Sequence, residues 1–143
     1  MKIVICGSST FRKEKVAIKE KLLEMGHDPI IDPVTEKLAR GEDPELLNRI
    51  ATEHHEVKKE LDLIRWYYNA IVGSDAILVV NPDKRGIANY IGGNTLLEIG
   101  YAYVHGKTVF LLNQVPEISY KDEILAMYSE VLDGDLERLR GKA

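Results

Sequence analysis

The stretch Asp75-Ala76-Ile77-Leu78-Val79-Val80-Asn81 is the most strand-like part of the 143-residue sequence. Its five central residues are apolar and polar residues bound it at both ends, a pattern typical of a short buried strand. Lys2 to Cys6 and Thr108 to Leu112 show the same pattern. We therefore predict that these three runs form parallel central strands of one sheet.

Helical patterns separate these runs, and alternating strands and helices predict βαβ units. Arg12 to Met25 has helical apolar spacing, and Gly26 supplies a stop. His27 to Ile31 predicts a second, short strand. Asp32 to Pro44 is polar and contains two prolines, so we predict a loop there.

The C-terminal part predicts helices over Thr95 to Val104 and Lys121 to Met127. A short strand or turn should follow, and then a helical turn over Asp135 to Arg140. We predict one domain over residues 1–143, an open α/β sheet of about four to five mainly parallel strands with helices on both faces.

A long apolar stripe precedes the central strand. Its members recur in steps of three and four, which predicts a helix about seven turns long with room for one break. They are Leu47, Ile50, His54, Val57, Leu61, Ile64, Tyr68 and Ile71. The stripe has more apolar positions than one sheet face covers, so we expect a homodimer or larger homo-oligomer, with intramolecular packing as the alternative.

Composition excludes several classes of protein. The net charge is −4 and no basic block occurs, which argues against duplex nucleic-acid binding. Cys6 is the only cysteine, so an internal disulfide and a thiolate metal site are excluded and a reducing, cytoplasmic compartment is expected.

The chain opens on a strand-like segment without a signal-peptide pattern, and no run approaches about 18 apolar residues, so no membrane partner is expected. His54 and His55 lack a third ligand at a recognisable spacing, and we predict neither a metal nor a cofactor.

Parallel sheets bind ligands beyond the carboxyl ends of their strands, where the strand order reverses. Gly7 to Arg12, Asn81 to Glu98 and Asn113 to Glu117 should meet at that edge. Within the second segment, the paired glycines of Gly92-Gly93-Asn94-Thr95-Leu96-Leu97-Glu98 predict close ligand approach and positive φ angles. Glu98 would stand ionised in the first helical turn, as a nucleophile requires. Alternatively, Thr95-x-x-Glu98 is a capping box.

The first turn, Gly7-Ser8-Ser9-Thr10, supplies hydroxyls and backbone amides at a helix start. Such a start suits an anion, and Arg12 or Lys13 could assist. The alternative is an ordinary serine N-cap. Tyr90, in the loop beside the paired glycines, is a candidate ligand contact, whereas the other aromatic residues fit a core.

Several motifs together resemble the nucleoside 2-deoxyribosyltransferase superfamily. They are Ile5-Cys6-Gly7-Ser8, the run from Asp75 to Asn81, Gly93-x-Thr95-x-x-Glu98-Ile99-Gly100-Tyr101-Ala102, and Gly106-Lys107. The resemblance implies a flavodoxin-like, Rossmann-like fold, a homodimer or larger assembly, and cleavage or transfer at the N-glycosidic bond of nucleosides or nucleotides. Glu98 matches the family's nucleophile. The glycine-pair turn is also similar to that of the lysine-decarboxylase-like phosphoribohydrolases.

The resemblance also assigns roles to the binding residues. Ser8, Ser9 and Arg12 would hold a 5′-phosphate, since a serine-containing first loop is similar to that of the branch hydrolysing nucleoside 5′-monophosphates. The sugar or base would be oriented by Asn81, Tyr90 and Asn94. Gly92 and Tyr67 stand where the family usually carries acids, which favours an alternative, a non-catalytic nucleotide sensor on the same fold.

Overall fold

A five-stranded, entirely parallel sheet forms the centre of the structure, a computed structural model that describes the backbone of residues 1–143 and every side chain except that of Lys58. The spatial order is β2-β1-β3-β4-β5. The strands are β1 (Lys2–Cys6), β2 (Asp28–Ile30), β3 (Ala76–Val79), β4 (Thr108–Leu111) and β5 (Glu130–Val131). This order is that of a flavodoxin-like open sheet, so the predicted fold class is confirmed.

The three central strands lie side by side as predicted. Val4 of β1 pairs with Ile77 of β3, and Ile77 pairs with Val109 of β4, all in parallel register. From β1 the chain crosses to β2 on one side and later to β3 on the other. The strand order therefore reverses between β1 and β3, and the crevice above their carboxyl ends is where this fold places ligands.

Seven α-helices surround the sheet. They are α1 (Arg12–Glu24), α2 (Pro33–Ala39), α3 (Pro44–Thr52), α4 (His54–Leu61), α5 (Leu63–Val72), α6 (Gly93–Val104) and α7 (Lys121–Met127). Single 3₁₀ turns cover Ser9–Phe11 and Leu136–Leu139. Two apolar clusters result, because alternate strand residues point to opposite faces. One cluster joins the sheet to α1 and the C-terminal turn, and the other joins it to α5, α6 and α7.

Two predictions about the segment between β2 and β3 are wrong. The predicted loop from Asp32 to Pro44 contains α2, because Asp32 accepts a hydrogen bond from the backbone amide of Thr35 and caps a helix with Pro33 in its first turn. The single long helix is instead three helices. The backbone leaves the helical region at Glu53, and Asp62 takes a left-handed conformation with φ 48°.

The turn after β1 requires a glycine. Gly7 has φ +145°, and a Cβ built on it would lie 2.6 Å from the carbonyl oxygen of Val80. The next contact of that Cβ would be the Cβ of Val80, followed by the Cε of Lys15 at 3.5 Å. The missing side chain therefore lets the ends of β1 and β3 approach each other and lets Lys15 pass over them.

Candidate functional site

A cavity of about 690 Å³ opens at the carboxyl ends of β1 and β3. Its wall is formed by the turn after β1, the first turns of α1 and α2, helices α3 and α5, His54 at the start of α4, the loop between β3 and α6, and α6 as far as Tyr101. A volume of this size accommodates a small-molecule ligand such as a nucleotide. The cavity lies where the strand order predicts a binding site.

The structure brings ten of the eleven sequence-predicted site residues into this wall. They are Gly7, Ser8, Ser9, Arg12, Tyr90, Gly92, Gly93, Asn94, Thr95 and Glu98. Asn81 lies outside the wall and is completely buried. Its side chain donates to the carbonyl oxygens of Asn113 and Gln114, and accepts from the amide of Asn113 at 2.9 Å. These hydrogen bonds therefore connect the carboxyl ends of β3 and β4 outside the cavity wall.

Glu98 is a wall residue in the second turn of α6. The helix begins at Gly93 with Gly92 as its N-cap, and no side chain caps it. The capping-box interpretation of Thr95 and Glu98 is thus wrong, and so is the expectation of a first-turn carboxylate. Glu98 is only 7% exposed, which places the carboxylate at the inner part of the cavity.

The paired glycines act differently from the prediction. Gly92 has φ −87°, and neither Gly92 nor Gly93 has a positive φ. A Cβ on Gly92 would lie 3.1 Å from the hydroxyl of Tyr90, whereas a Cβ on Gly93 would meet nothing within 4 Å. Gly92 therefore makes room for the Tyr90 ring, and Gly93 leaves open space at the start of α6.

The rim of the cavity carries two cations that were not predicted from the sequence, Lys84 and Arg85, beside the predicted Arg12. Lys84 donates a 2.8 Å hydrogen bond to Ser8 Oγ, and its ammonium lies 5.3 Å from the centroid of the Tyr90 ring. Arg12 and Arg85 also belong to the rim. Ser8 caps the Ser9–Phe11 turn as well, so its capping role and its position in the wall coexist. Basic side chains and hydroxyls at a helix start are the groups that bind phosphate.

Beside Glu98, the inner wall contains four buried residues that were not predicted as site residues from the sequence. They are Lys15, Asp32, Thr35 and Tyr67. Asp32 Oδ2 accepts from the hydroxyls of Thr35 at 2.5 Å and Tyr67 at 2.6 Å. Burial raises the pKa of the Tyr67 hydroxyl, and the nearby charges of Asp32 and Glu98 raise it further. Tyr67 therefore stays protonated and keeps donating to Asp32. The helix-start signature Asp32-Pro33-x-Thr35 is the sequence signal that could have revealed this wall.

Cys6 lies beneath the inner wall, at the end of β1. Burial raises the pKa of its thiol, the charge of Glu98 raises it further, and the charge of Lys15 lowers it. Both charges therefore lie close enough to the same sulfur to act on it. A buried, protonated thiol is not a nucleophile, so Glu98 remains the nucleophile candidate of this cavity.

The outer wall is apolar. Leu47 and Ile50 of α3 line it, together with Ile64 of α5 and Leu97 of α6. Part of the stripe predicted as a sheet cover or dimer face thus lines the cavity instead. An apolar wall opposite polar groups suits a ligand with a flat, weakly polar part, such as a nucleobase.

Neither a metal centre nor a membrane segment is found among the described residues. No three His, Cys, Asp or Glu side chains within that set are arranged to hold a metal ion. No helix within it combines the length and the apolar character needed to cross a bilayer.

Comparison with known proteins rests on structure alone, because no protein-family description and no curated protein sequence matches this chain. Its fold is similar to that of the CMP N-glycosidase BcmB of Clostridium botulinum. The TM-score is 0.50 at 13% sequence identity, over 97% of this chain and 94% of the other. The chain has an N-glycosidase-like fold. At this identity the likeness concerns the arrangement of helices and strands.

Proposed function

We propose that this protein cleaves or transfers the N-glycosidic bond of a nucleoside or nucleoside 5′-monophosphate, with Glu98 as the nucleophile. The observation that carries the proposal is the Glu98 carboxylate in the inner part of a nucleotide-sized cavity whose rim is basic. The structural neighbour is a CMP N-glycosidase, so this fold can support such chemistry in another protein.

The reaction follows the logic of a retaining glycosidase. A Glu98 oxygen attacks C1′ as the C1′–N bond breaks, and the bonding electron pair leaves with the base. Water or a second base then attacks C1′ and releases Glu98 as a carboxylate. Ser8, Ser9 and Arg12 would hold the phosphate, and Tyr90 and Asn94 would orient the sugar or base.

A second candidate is a nucleotide sensor without catalysis. Gly92 stands where the resembling family usually carries an acid, and the Tyr90 ring occupies the space beside it. Tyr67 replaces a second such acid, although the buried carboxylate of Asp32 contacts its hydroxyl. Incubation with a panel of nucleosides and monophosphates, followed by chromatography for free base, separates the candidates. Release of free base supports the enzyme, and binding without release supports the sensor.

Phosphate recognition is tested by changing Ser9 and Arg12 together to alanine. The double variant should bind a monophosphate about ten- to a hundredfold more weakly, because a lost charge-assisted contact is worth roughly 1.5–3 kcal/mol. Binding of the matching nucleoside should change little. Calorimetric titration with both ligands measures the difference, and Arg138→Ala, outside the cavity wall, is the control. Equal losses for the two ligands would show that this turn does not bind phosphate.

We also propose that the chain forms a homodimer through the exposed face of α5 and α6. Tyr68 and Val72 of α5 and Val104 of α6 are exposed there, Val104 by 78%. A specific dimer buries on the order of 1,200 Å² or more, so the interface should extend across both helices. Light scattering should give the mass of a dimer for the wild type.

The charge substitution Val104→Glu should shift this dimer to the monomer at micromolar concentration. Leu23→Glu is the control, because Leu23 is also exposed but belongs to α1 on the opposite side of the sheet. A monomeric wild type would contradict the proposed assembly, and dissociation by Leu23→Glu would place the interface elsewhere.

A further inference from the structure

Buried polar groups concentrate around the cavity. Among the described side chains, eight polar or charged residues are buried, and five of them line this wall. These five are Lys15, Asp32, Thr35, Thr95 and Glu98. Lys15 is the only cation of the five and is 3% exposed. A buried ammonium is costly unless neighbouring charges or a ligand compensate it, so its position in the wall calls for a function.

Lys15 reaches the cavity across the turn that Gly7 keeps open. Its Nζ lies 5.9 Å from the centroid of the Tyr67 ring. Among the side chains that the structure describes, none forms a hydrogen bond or an ion pair with this ammonium. Lys15 and Glu98 both line this cavity, so the cation and the proposed nucleophile belong to one site.

The hydroxyl protons of Thr35 and Tyr67 in the inner wall already form hydrogen bonds within the protein. Thr35 and Tyr67 both donate their hydroxyl protons to Asp32 Oδ2, and the amide of Thr35 donates to Oδ1. In this arrangement both oxygens of Asp32 act as hydrogen-bond acceptors, so Asp32 donates no hydrogen bond to a ligand. An ammonium has three donors. Lys15 is therefore the group of the inner wall that can give a proton to a ligand.

We propose that Lys15 is a catalytic residue that protonates the departing base, an inference that rests on the N-glycosidic function proposed above. As Glu98 attacks C1′, the C1′–N bond breaks and its electron pair moves onto the base. Lys15 transfers a proton to a ring nitrogen or exocyclic oxygen of that base and becomes a neutral amine. When water attacks C1′, the C1′–O bond to Glu98 breaks and the proton of the water returns to Lys15. The products are the neutral base and the free sugar.

The test compares two leaving groups on one sugar. The first substrate is the nucleoside or monophosphate that the base-release panel identifies. The second carries 4-nitrophenolate in place of the base, a group that leaves as an anion without needing a proton. In Lys15→Met, kcat/KM for the first substrate should fall about 10²- to 10⁴-fold, the usual contribution of a general acid. For the nitrophenyl substrate it should fall less than about tenfold, because this leaving group does not require a general acid.

A second variant covers the case in which Lys15→Met does not fold. Lys15→Arg keeps the positive charge but cannot release a proton at neutral pH, so it should show the same selective loss. Lys21→Met is the matched control, since Lys21 lies on the same helix but is exposed and outside the cavity wall. Thermal melts of all variants report folding.

The outcomes test the role of Lys15 separately from the proposed N-glycosidic function. A selective loss with the natural base supports Lys15 as the proton donor. Equal losses with both substrates, or full activity of Lys15→Arg on the natural base, would overturn this role and leave the N-glycosidic function intact. A wild type that releases base from no nucleoside or monophosphate of the panel would overturn the proposed function and this inference together.

Discussion

Replacing Glu98 with glutamine should abolish base release while the protein still folds. Glutamine has nearly the same size and keeps hydrogen-bonding groups, but it lacks the charged oxygen that attacks C1′. Removing a covalent nucleophile commonly lowers kcat by at least about three orders of magnitude. Chromatographic measurement of free base, with the substrate on which the wild type is most active, gives both rates.

The loss of a helix cap, which the sequence suggested, does not complicate this comparison. Since Glu98 lies in the second turn of α6 and does not cap the helix, no loss of a cap should accompany the substitution. Thermal melts of wild type and variant should therefore differ little. Glu123→Gln, at an exposed position of α7, is the matched control and should retain wild-type activity. A Glu98→Gln variant that keeps most of its activity would show that another group attacks the sugar.

Gly7→Ala should lower the free energy of unfolding by about 3 kcal/mol. Two costs combine at this position, because alanine disfavours the positive φ and its Cβ would also clash with backbone. The new Cβ would lie 2.6 Å from the carbonyl oxygen of Val80, and this oxygen belongs to backbone next to a central strand. Denaturant unfolding monitored by circular dichroism measures the loss.

A second glycine separates the two causes. Gly26 also has a positive φ, +85°, but a Cβ there would meet nothing within 4 Å. Gly26→Ala should therefore show only the cost of the left-handed backbone, about 1–2 kcal/mol. Equal losses for the two alanine variants would mean that the close approach of β1 and β3 is not what requires Gly7.

The central part of the fold could be predicted because its signals are local. Apolar runs bounded by turn residues mark β1, β3 and β4 without knowledge of the rest of the chain. Helix α2 was missed because two prolines favoured a loop, although Pro33 directly after Asp32 also suits a helix start. The breaks at Glu53 and Asp62 could not be read from the pattern, since the apolar stripe continues across both.

Only some residues of the candidate site could be predicted from the sequence. Residues that follow strands, such as Ser8 and Gly92, could be placed because the parallel topology fixes where strand ends meet. Lys15 could not, because a lysine on a helix is ordinarily exposed and its burial depends on the open turn at Gly7. The Asp32–Tyr67 contact joins residues 35 positions apart, and no local pattern predicts such a pair.

Asp32 illustrates how strongly one position can be restricted in residue type. Its two oxygens accept one backbone and two hydroxyl protons, so the same side chain starts α2 and orients Tyr67. Asparagine would cap the helix equally well, but its amide nitrogen would face the two hydroxyls and reverse their hydrogen bonds. The phenolic proton of Tyr67 would then turn away from position 32. Aspartate and asparagine can both cap a helix through a side-chain oxygen. Only aspartate also keeps the hydroxyls of Thr35 and Tyr67 as hydrogen-bond donors to position 32.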